Sequence, residues 1–298
     1  MSRALVLGGG GPVGIAWESG LLAGLAQAGL DLGHADHIIG TSAGSFVGAR
    51  LAMGAETAKL ADPILAEAQR EPAMAGGGGE ARRPPDLSFL FEKMAEAASG
   101  MRDPAEARAE IGRFALAAQT MDEAAFIGSF GRSFASLAED AWPGTRSFAC
   151  TAVDAETGAF QLWAAESGVG VTRAVASSCS VPGVYPPVTI KGRRYIDGGM
   201  RSATNADLAM GHEKVVIVAV RNDGPAPPAM QAIRAKLDQE VKDLTDGGAK
   251  VAVVTPDAAS QAAFGGNMMD FRRRPDSARA GFDQGRHLAA ELKGFWSS

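Results

Sequence analysis

The sequence has few cysteines, few aromatic residues and no long apolar run. Its 298 residues include two cysteines, Cys150 and Cys179, and 6% aromatic residues. Two cysteines exclude a disulfide framework and a thiolate zinc cage. The roughly eighteen consecutive apolar residues of a membrane-spanning helix do not occur, and the apolar stretch at residues 4–7 is too short for a secretory signal. We therefore expect a cytoplasmic protein.

An excess of positive charge is also missing. The 29 Lys and Arg residues are outnumbered by 34 Asp and Glu residues, which gives a net charge of -5. Proteins that bind nucleic acids need a basic surface, so we expect no nucleic-acid partner. The acidic residues form no loop with the spacing of a calcium site. We expect neither a metal nor a cofactor.

Glycine, in contrast, is abundant. It accounts for 38 of the 298 residues, well above its usual share of about 7%. The excess lies in clusters at residues 8–14, 40–44, 76–79 and 198–199. The cluster at 76–79, together with the Arg and Pro residues at 82–85, predicts a mobile loop. The other three clusters follow predicted strands, where glycine lets the backbone approach another group closely.

The first fifty residues alternate between strand and helix patterns. Strands are predicted over residues 3–7 and 37–39, and helices over residues 13–28 and 45–53. This order is typical of a parallel α/β sheet, in which helices connect parallel strands. Residues 55–140 are rich in Ala, Glu and Arg and have a helical pattern without a convincing strand. We interpret them as a helical insertion in the α/β core.

Strand patterns return in the second half of the chain. A hairpin signal at residues 154–158 joins the first two of these strands. The predicted strands cover residues 146–153, 160–163, 188–190, 193–196, 214–220 and 251–254, and helices are predicted near 172–178, 228–244 and 276–293.

The glycine loop after the first strand has three interpretations. Residues 9–14, Gly-Gly-Gly-Pro-Val-Gly, match the dinucleotide pattern G-x-G-x-x-G. A dinucleotide site also needs an acidic residue at the end of the second strand, whereas Asp36 precedes that strand here. Backbone N–H groups at a helix N-terminus also suit the oxyanion of an acyl-transfer intermediate. The third interpretation is a tight turn, although four consecutive glycines exceed what a turn needs.

A second motif places a serine between a strand and a helix. Gly40-Thr41-Ser42-Ala43-Gly44 matches G-x-S-x-G in the structural context that this motif requires. Small neighbours allow the sharp, strained turn from which a nucleophilic hydroxyl projects. The N-terminus of the following helix favours the negative charge that develops there. We therefore interpret Ser42 as a nucleophile in preference to a helix cap.

A histidine base for Ser42 is difficult to identify. The four histidines are His34, His37, His212 and His287, and none belongs to a motif. His287 could complete the chain order Ser, acid, His of an α/β-hydrolase triad. That fold has several strands before its nucleophile, and here one βα unit precedes Ser42. The triad therefore fits poorly.

A third motif is Asp197-Gly198-Gly199 at the end of a predicted strand. Alone it suits an ordinary turn. Together with the glycine loop and the serine motif, in this order and at this separation, it resembles the patatin-like phospholipase family. The stretch from Ala176-Ser177-Ser178 to the prolines at 186–187 is also similar to the family. The resemblance covers residues 4–53 and about 147–220.

The resemblance implies a single patatin-like domain over residues 1–298, with a three-layer α/β/α core, a mainly parallel central sheet and the helical insertion at about 55–140. It also implies a lipid acyl hydrolase or esterase with a Ser-Asp dyad. By position, Ser42 is then the nucleophile and Asp197 the general base, without a histidine. The oxyanion hole is assigned to Gly9, Gly10 and Gly11. The expected substrate is a phospholipid, lysophospholipid or neutral ester, with transient contact to a membrane surface.

Two features bear on substrate and access. The family loop has Arg or Lys where this chain has Val13, so a cation that could assist anion binding is lost. The apolar residues 89–94 beside the predicted mobile loop suggest that the insertion is a lid, although ordinary helical packing explains them equally well. The basic run at residues 272–274 suits either a solvated loop or phosphate head groups.

The sequence is also compatible with two other classes of protein. One is a dinucleotide-binding oxidoreductase that uses the G-x-G-x-x-G loop, which the missing acidic residue opposes. The other is a non-catalytic relative that binds lipid, which the presence of both Ser42 and Asp197 opposes.

Overall fold

A computed structural model of the chain describes residues 2–69, 88–99, 102–139, 141–222 and 224–297. The loop predicted to be mobile, at 76–79 and 82–85, lies outside the described residues. The described strands are β1 (Arg3–Leu7), β2 (His37–Gly40), β3 (Ser147–Asp154), β4 (Phe160–Trp163), β5 (Val188–Ile190), β6 (Arg193–Asp197), β7 (Lys214–Val218) and β8 (Lys250–Val254). The described helices are α1 (Gly11–Gln27), α2 (Ala43–Ala52), α3 (Asp62–Leu65), α4 (Ser88–Ser99), α5 (Pro104–Ala117), α6 (Glu123–Phe134), α7 (Val171–Ser178), α8 (Pro228–Asp246), α9 (Ala258–Phe264) and α10 (Arg274–Ser297).

The strands form one mixed sheet that is mostly parallel. Its order is β5-β6-β3-β2-β1-β7-β8, with β4 added beside β3. The run from β3 through β2, β1 and β7 to β8 is parallel, whereas β4 and β6 pair antiparallel with β3, and β5 pairs antiparallel with β6. The predicted mainly parallel sheet is therefore confirmed.

Helices cover both faces of this sheet. Alternate residues of a strand point to opposite faces. In β1, Leu5 and Leu7 pack with residues of α1, α2 and α10, whereas Ala4 and Val6 pack with Leu237 of α8. These four residues of β1 are completely buried, as expected for a central strand of a parallel sheet between two helical layers. The predicted three-layer α/β/α fold is confirmed.

The contact between α1 and α10 uses glycine on both helices. A Cβ at Gly20 would lie 2.0 Å from the carbonyl oxygen of Ala278, and one at Gly24 would lie 2.1 Å from that of Phe282. In the other direction, a Cβ at Gly281 would lie 2.3 Å from the Trp17 carbonyl oxygen. Only glycine fits at such close backbone approach. Part of the glycine excess therefore serves helix packing.

The insertion contains α3 to α6 and no strand among its described residues. In the cluster that joins it to the sheet, Leu90 of α4 and Ile111 of α5 pack with Val153 and Ile196. No helix in the described ranges is both long and apolar enough to cross a membrane. The two cysteines are buried and unpaired.

Candidate active site

The ends of two strands meet beside β3 at the candidate site. Cys150 of β3 pairs with Gly40 of β2, and Ala152 pairs with Asp197 of β6. Both β3 residues pair with β4 as well, so β2 and β6 share one edge of β3 and β4 occupies the other. Because β2 is parallel to β3 and β6 is antiparallel, their carboxyl ends face each other. This arrangement brings Asp197 next to the residues that follow Gly40.

Ser42 occupies the sharp turn between β2 and α2. Its backbone angles are φ 51° and ψ -113°, an uncommon conformation for a residue other than glycine. Such strain persists where the surrounding structure enforces it, and it is typical of functional sites. A Cβ at Gly40 would lie 2.5 Å from the Gly44 carbonyl oxygen, and one at Gly44 would lie 2.1 Å from that of Leu7. The turn therefore requires glycine on both sides of Ser42.

The side chains of Ser42 and Asp197 are in direct contact. Ser42 Oγ donates a hydrogen bond of 2.6 Å to Asp197 Oδ2, and the Gly199 N–H donates one of 2.7 Å to Asp197 Oδ1. Ser42 is 6% exposed and Asp197 is 2% exposed. Burial raises the pKa of Asp197 to about 7, although both hydrogen bonds act in the opposite direction. A carboxylate with this pKa is a stronger base than an exposed aspartate.

The histidines lie elsewhere. None of the described residues that line the cavity at Ser42 is a histidine. The rings of His37 and His212 stack on each other, with centroids 5.7 Å apart, and His34 pairs with Asp31. His287 is an exposed residue of α10. Asp197, in contrast, contacts Ser42 directly, so the geometry contains a Ser-Asp pair and no triad.

The glycine loop lies against Ser42, but one of its three predicted donors is already used. A Cβ at Gly9 would lie 3.5 Å from Ser42 Cβ. The Gly9 N–H, which the resemblance assigns to the oxyanion hole, donates a hydrogen bond of 2.8 Å to the Ala203 carbonyl. The N–H groups of Gly10 and Gly11 have no backbone acceptor in the described part of the chain. Gly11 also has φ 59°, a conformation that favours glycine.

The acidic residue that a dinucleotide site needs is at the wrong end of β2. Asp36 precedes this strand, and its Oδ2 accepts a 2.8 Å hydrogen bond from the Arg3 N–H. It therefore lies at the amino end of the parallel strands. The glycine loop and Ser42 lie at their carboxyl ends, where such folds bind ligands.

Two residues at the end of α7 support Ser42 and were not predicted as part of the site. The Ser42 N–H donates a 2.9 Å hydrogen bond to Ser178 Oγ. The thiol of Cys179 donates to the Ser42 carbonyl with a distance of 3.2 Å, and burial raises the pKa of this thiol. Ser178 lies in the stretch from Ala176 that resembles the family, so the sequence contained a signal for it. A lone cysteine such as Cys179 gives no sequence signal of a role at the site.

The segment after Gly199 adds a further unpredicted residue, Asn205. Its side-chain amide donates hydrogen bonds to Thr41 Oγ1 at 3.0 Å and to the Ser202 carbonyl at 2.8 Å. Thr41 Oγ1 also lies 3.0 Å from Thr151 Oγ1 on β3. Asn205 has φ 49°, a conformation that asparagine tolerates better than most residues. This network connects the loops that carry Ser42 and Asp197.

Ser42 opens into a cavity of about 950 Å³. This volume is within the usual range for small-molecule sites, roughly 300–1,000 Å³. Helix α6 of the insertion forms part of its wall. The apolar side chains of the lining include Ile15, Phe46, Ile64, Phe126, Phe130 and Tyr185.

Neither Val13 nor the apolar segment at residues 89–94 lines the cavity at Ser42. Val13, at the position where the family loop has a basic residue, is completely buried in the main hydrophobic core. Leu90 packs against the sheet cluster and is absent from the cavity lining, so the apolar residues at 89–94 do not cover Ser42. The described parts of the insertion that reach the cavity are α3 with the turn after it, Met121 and α6.

Two solved structures are similar to this chain at low sequence identity. VipD from Legionella pneumophila is 13% identical with a TM-score of 0.47, and the match covers 97% of this chain and 67% of VipD. The type III effector protein ExoU is 14% identical with a TM-score of 0.39, and the match covers 97% of this chain and 53% of ExoU. No curated protein sequence gives a significant match.

A family model matches one continuous stretch of this chain that includes all three motifs. The model of the family described as patatin-like phospholipase matches residues 5–210, which is more than half of the 298 residues. The match spans the glycine loop, Ser42, the insertion and Asp197. The chain therefore belongs to the patatin-like phospholipase family.

Proposed function

We propose that this protein hydrolyses carboxylic esters of lipids through an acyl-enzyme at Ser42, with Asp197 as the general base. Family membership supports a lipid acyl hydrolase activity. The observation that carries the mechanism is the 2.6 Å hydrogen bond from Ser42 Oγ to Asp197 Oδ2. A nucleophile and its base must lie within hydrogen-bond reach of each other, about 2.6–3.2 Å.

The reaction takes place in two steps. Ser42 Oγ attacks the ester carbonyl carbon while its proton passes to Asp197 Oδ2. The tetrahedral intermediate then expels the alcohol, which takes the proton from Asp197, and the acyl group stays on Ser42. In the second step a water molecule attacks the acyl-enzyme and gives its proton to Asp197. Release of the fatty acid returns the proton to Ser42 Oγ.

Negative charge on the intermediate is stabilised by the backbone of the glycine loop. The Gly10 and Gly11 N–H groups have no backbone acceptor among the described residues and belong to the start of α1. Amide donors at a helix N-terminus stabilise an oxyanion because they donate hydrogen bonds to it and because the positive end of the helix dipole attracts its negative charge. Gly9 does not take part, since Ala203 accepts its hydrogen bond. Its role is to hold the loop in place.

The insertion acts as a lid within a single catalytic domain. The support is that Phe126 and Phe130 of α6 line the cavity that contains Ser42. A movement of this helix changes the access of a lipid chain to the nucleophile. Lid movements of this kind exclude water during the reaction.

A fluorophosphonate probe tests the nucleophile directly. The probe is expected to label the native protein at Ser42, and heat-denatured protein is the control. Ser42→Ala should abolish labelling and lower the turnover of p-nitrophenyl esters by roughly 10³-fold or more. Asp197→Asn should lower turnover by roughly 10²-fold or more.

His287→Ala is the matched control for a triad, because His287 is exposed and absent from the cavity. It should retain native turnover. Loss of activity in His287→Ala together with retained activity in Asp197→Asn would disprove the dyad. A non-catalytic lipid-binding protein would be indicated by lipid binding without labelling at Ser42.

A further inference from the structure

The cavity at Ser42 has a charged far end. Ser42, Phe46 and Arg50 line it, and they are spaced four residues apart along α2. Residues with this spacing lie on the same face of a helix. At a rise of 1.5 Å per residue, Arg50 lies roughly 12 Å from Ser42 along the helix. The cavity therefore extends along α2 from the nucleophile, past an aromatic ring, to a guanidinium group.

A second guanidinium lies beside Arg50. Arg274, the first residue of α10, also lines the cavity. Burial and the nearby positive charge of Arg274 lower the pKa of Arg50. Arginine nevertheless stays protonated in proteins, so both groups keep their charge. Two like charges in a partly buried place repel each other and need a compensating anion.

The protein compensates only part of this charge. Among the described residues that line the cavity, the arginines are Arg50, Arg132 and Arg274, and Glu67 is the one acidic residue. Glu67 Oε1 lies 3.0 Å from Arg274 Nη2. Asp197 contacts Ser42 and is not among the described residues that line the cavity. The far end is therefore positive in a protein whose net charge is -5.

The hydrogen-bonding groups of the two arginines are also incompletely used. Arg274 Nε is buried and has no hydrogen-bond partner in the described part of the chain. Arg50 Nη1 donates to the Leu60 carbonyl at 3.4 Å, which is long for a hydrogen bond. The position of Arg50 in the last turn of α2 suits the helix dipole. The dipole does not explain the unpaired Nε of Arg274.

We propose that Arg50 and Arg274 form an anion-binding subsite of this cavity, and that the esters hydrolysed at Ser42 carry a phosphate or carboxylate at the end remote from the scissile carbonyl. The proposal rests on the proposed function and specifies its substrate. A guanidinium group can donate two parallel hydrogen bonds to the oxygens of a phosphate or carboxylate, so its geometry suits such a group. The aromatic and aliphatic residues between the two ends then hold the hydrocarbon part of the substrate. The subsite supplies, at another place, the cation that Val13 does not provide.

Two series of p-nitrophenyl esters test this proposal by their relative kcat/KM. One series contains half-esters of dicarboxylic acids, and the other contains the monocarboxylic esters of equal chain length. The native protein should prefer the charged ester by roughly tenfold at the chain length that reaches the arginines. Equal kcat/KM values at every length would overturn the subsite, while ester turnover that depends on Ser42 would still support the proposed function.

Three variants separate a charge effect from loss of folding. Arg50→Gln and Arg274→Gln should each lower the preference for the charged ester by about tenfold. Glu67→Gln should raise it, because Arg274 loses its competing carboxylate. The control is Arg279→Gln, an exposed arginine of the same helix α10 that pairs with Asp276, and it should leave the preference unchanged. An unchanged preference in the two arginine variants and in Glu67→Gln would contradict the proposal.

Ligand binding tests the subsite without catalysis. Octyl phosphate, octanol and inorganic phosphate are titrated calorimetrically into the Ser42→Ala protein. Octyl phosphate should bind at least about tenfold more tightly than either other compound, and the added change Arg50→Gln should remove this difference. Equal binding of octanol would show that the arginines recognise no anion. Equal binding of inorganic phosphate would show a site for free phosphate and would overturn a substrate subsite.

Discussion

The side-chain amide of Asn205 donates a hydrogen bond of 3.0 Å to Thr41 Oγ1, the residue directly before Ser42. It also donates to the Ser202 carbonyl, in the segment that follows Asp197 and its two glycines. One side chain thus bridges the two loops that carry the proposed nucleophile and base. Their separation depends on this bridge as well as on the sheet.

Asn205→Ala should weaken both the fold and the reaction. The change removes several buried hydrogen bonds and leaves Thr41 Oγ1 without this donor, so we expect a loss of about 1–3 kcal/mol in the free energy of unfolding. The value of kcat should fall by a larger factor than KM rises, because Asn205 positions Ser42 and does not line the cavity. Urea unfolding and steady-state kinetics measure the two effects. Asn205→Gly, which keeps the freedom of φ, is the control for backbone strain, and native kcat in both variants would contradict the positioning role.

The activity should depend on the ionisation of Asp197. Burial raises the pKa of this carboxyl to about 7, and only its ionised form accepts the proton of Ser42. The value of kcat/KM should therefore rise with pH and level off above about 7. A pH profile with a p-nitrophenyl ester measures this limb. An acidic limb near pH 4 would show that Asp197 titrates like an exposed aspartate.

Asp197 should also make the fold less stable as pH rises. Its ordinary pKa is 3.8, so between about pH 4 and 7 the folded protein holds a proton that the unfolded chain has lost. The free energy of unfolding then falls through this range because the folded state binds more protons. Asp197→Asn should therefore be more stable than the native protein at pH 8, by about 1–4 kcal/mol, with a smaller difference at pH 4. Chemical denaturation at both values tests the sign.

Gly44→Ala and Gly128→Ala form a matched pair of helical substitutions. A Cβ at Gly44 would lie 2.1 Å from the Leu7 carbonyl oxygen of β1, whereas one at Gly128 in α6 meets nothing within 4 Å. Gly44→Ala should cost about 1–3 kcal/mol of stability or more, because strand backbone cannot move aside easily. Gly128→Ala should gain up to about 1 kcal/mol from helix propensity. Similar melting temperatures for the two variants would contradict the tight turn at Ser42.

The lid proposal predicts faster hydrogen exchange in α6 than in the central strands. Amide exchange followed by mass spectrometry should show earlier deuterium uptake at residues 123–134 than at residues 3–7 and 214–218. Opening of a lid requires a low local free energy, in contrast to a sheet core. A nonhydrolysable lipid analogue should slow exchange in α6. Protection equal to that of the sheet would identify α6 as ordinary packing.

The sequence predicted the strands and the helices α1, α2, α7, α8 and α10 closely, because apolar runs and glycine breaks mark them directly. The strand at 160–163 and the one at 188–190 have the predicted bounds. Helix α9 was not predicted, although Asp257 caps its first turn by accepting from the Ser260 N–H. A seven-residue helix rich in alanine has too short an apolar pattern to recognise.

The site was less accessible to sequence reasoning. Ser42 and Asp197 are 155 residues apart, and only the antiparallel arrival of β6 at the edge of β3 explains their contact. Their pairing could be inferred from family resemblance, since no local pattern encodes it. The engagement of the Gly9 N–H by Ala203 depends on the packing of two distant loops. The approach of Arg274 to Arg50 depends likewise on the tertiary position of α10.

The close glycine contact between α1 and α10 has a consequence for any shortened form of the chain. The family match ends at residue 210, but α1, whose first turn supplies Gly11, rests on α10 at Arg274–Ser297. A polypeptide that stops at the family boundary would keep every motif residue and lose the surface on which the helix after the glycine loop packs. The unit that folds is thus longer than the part of the chain that matches the family.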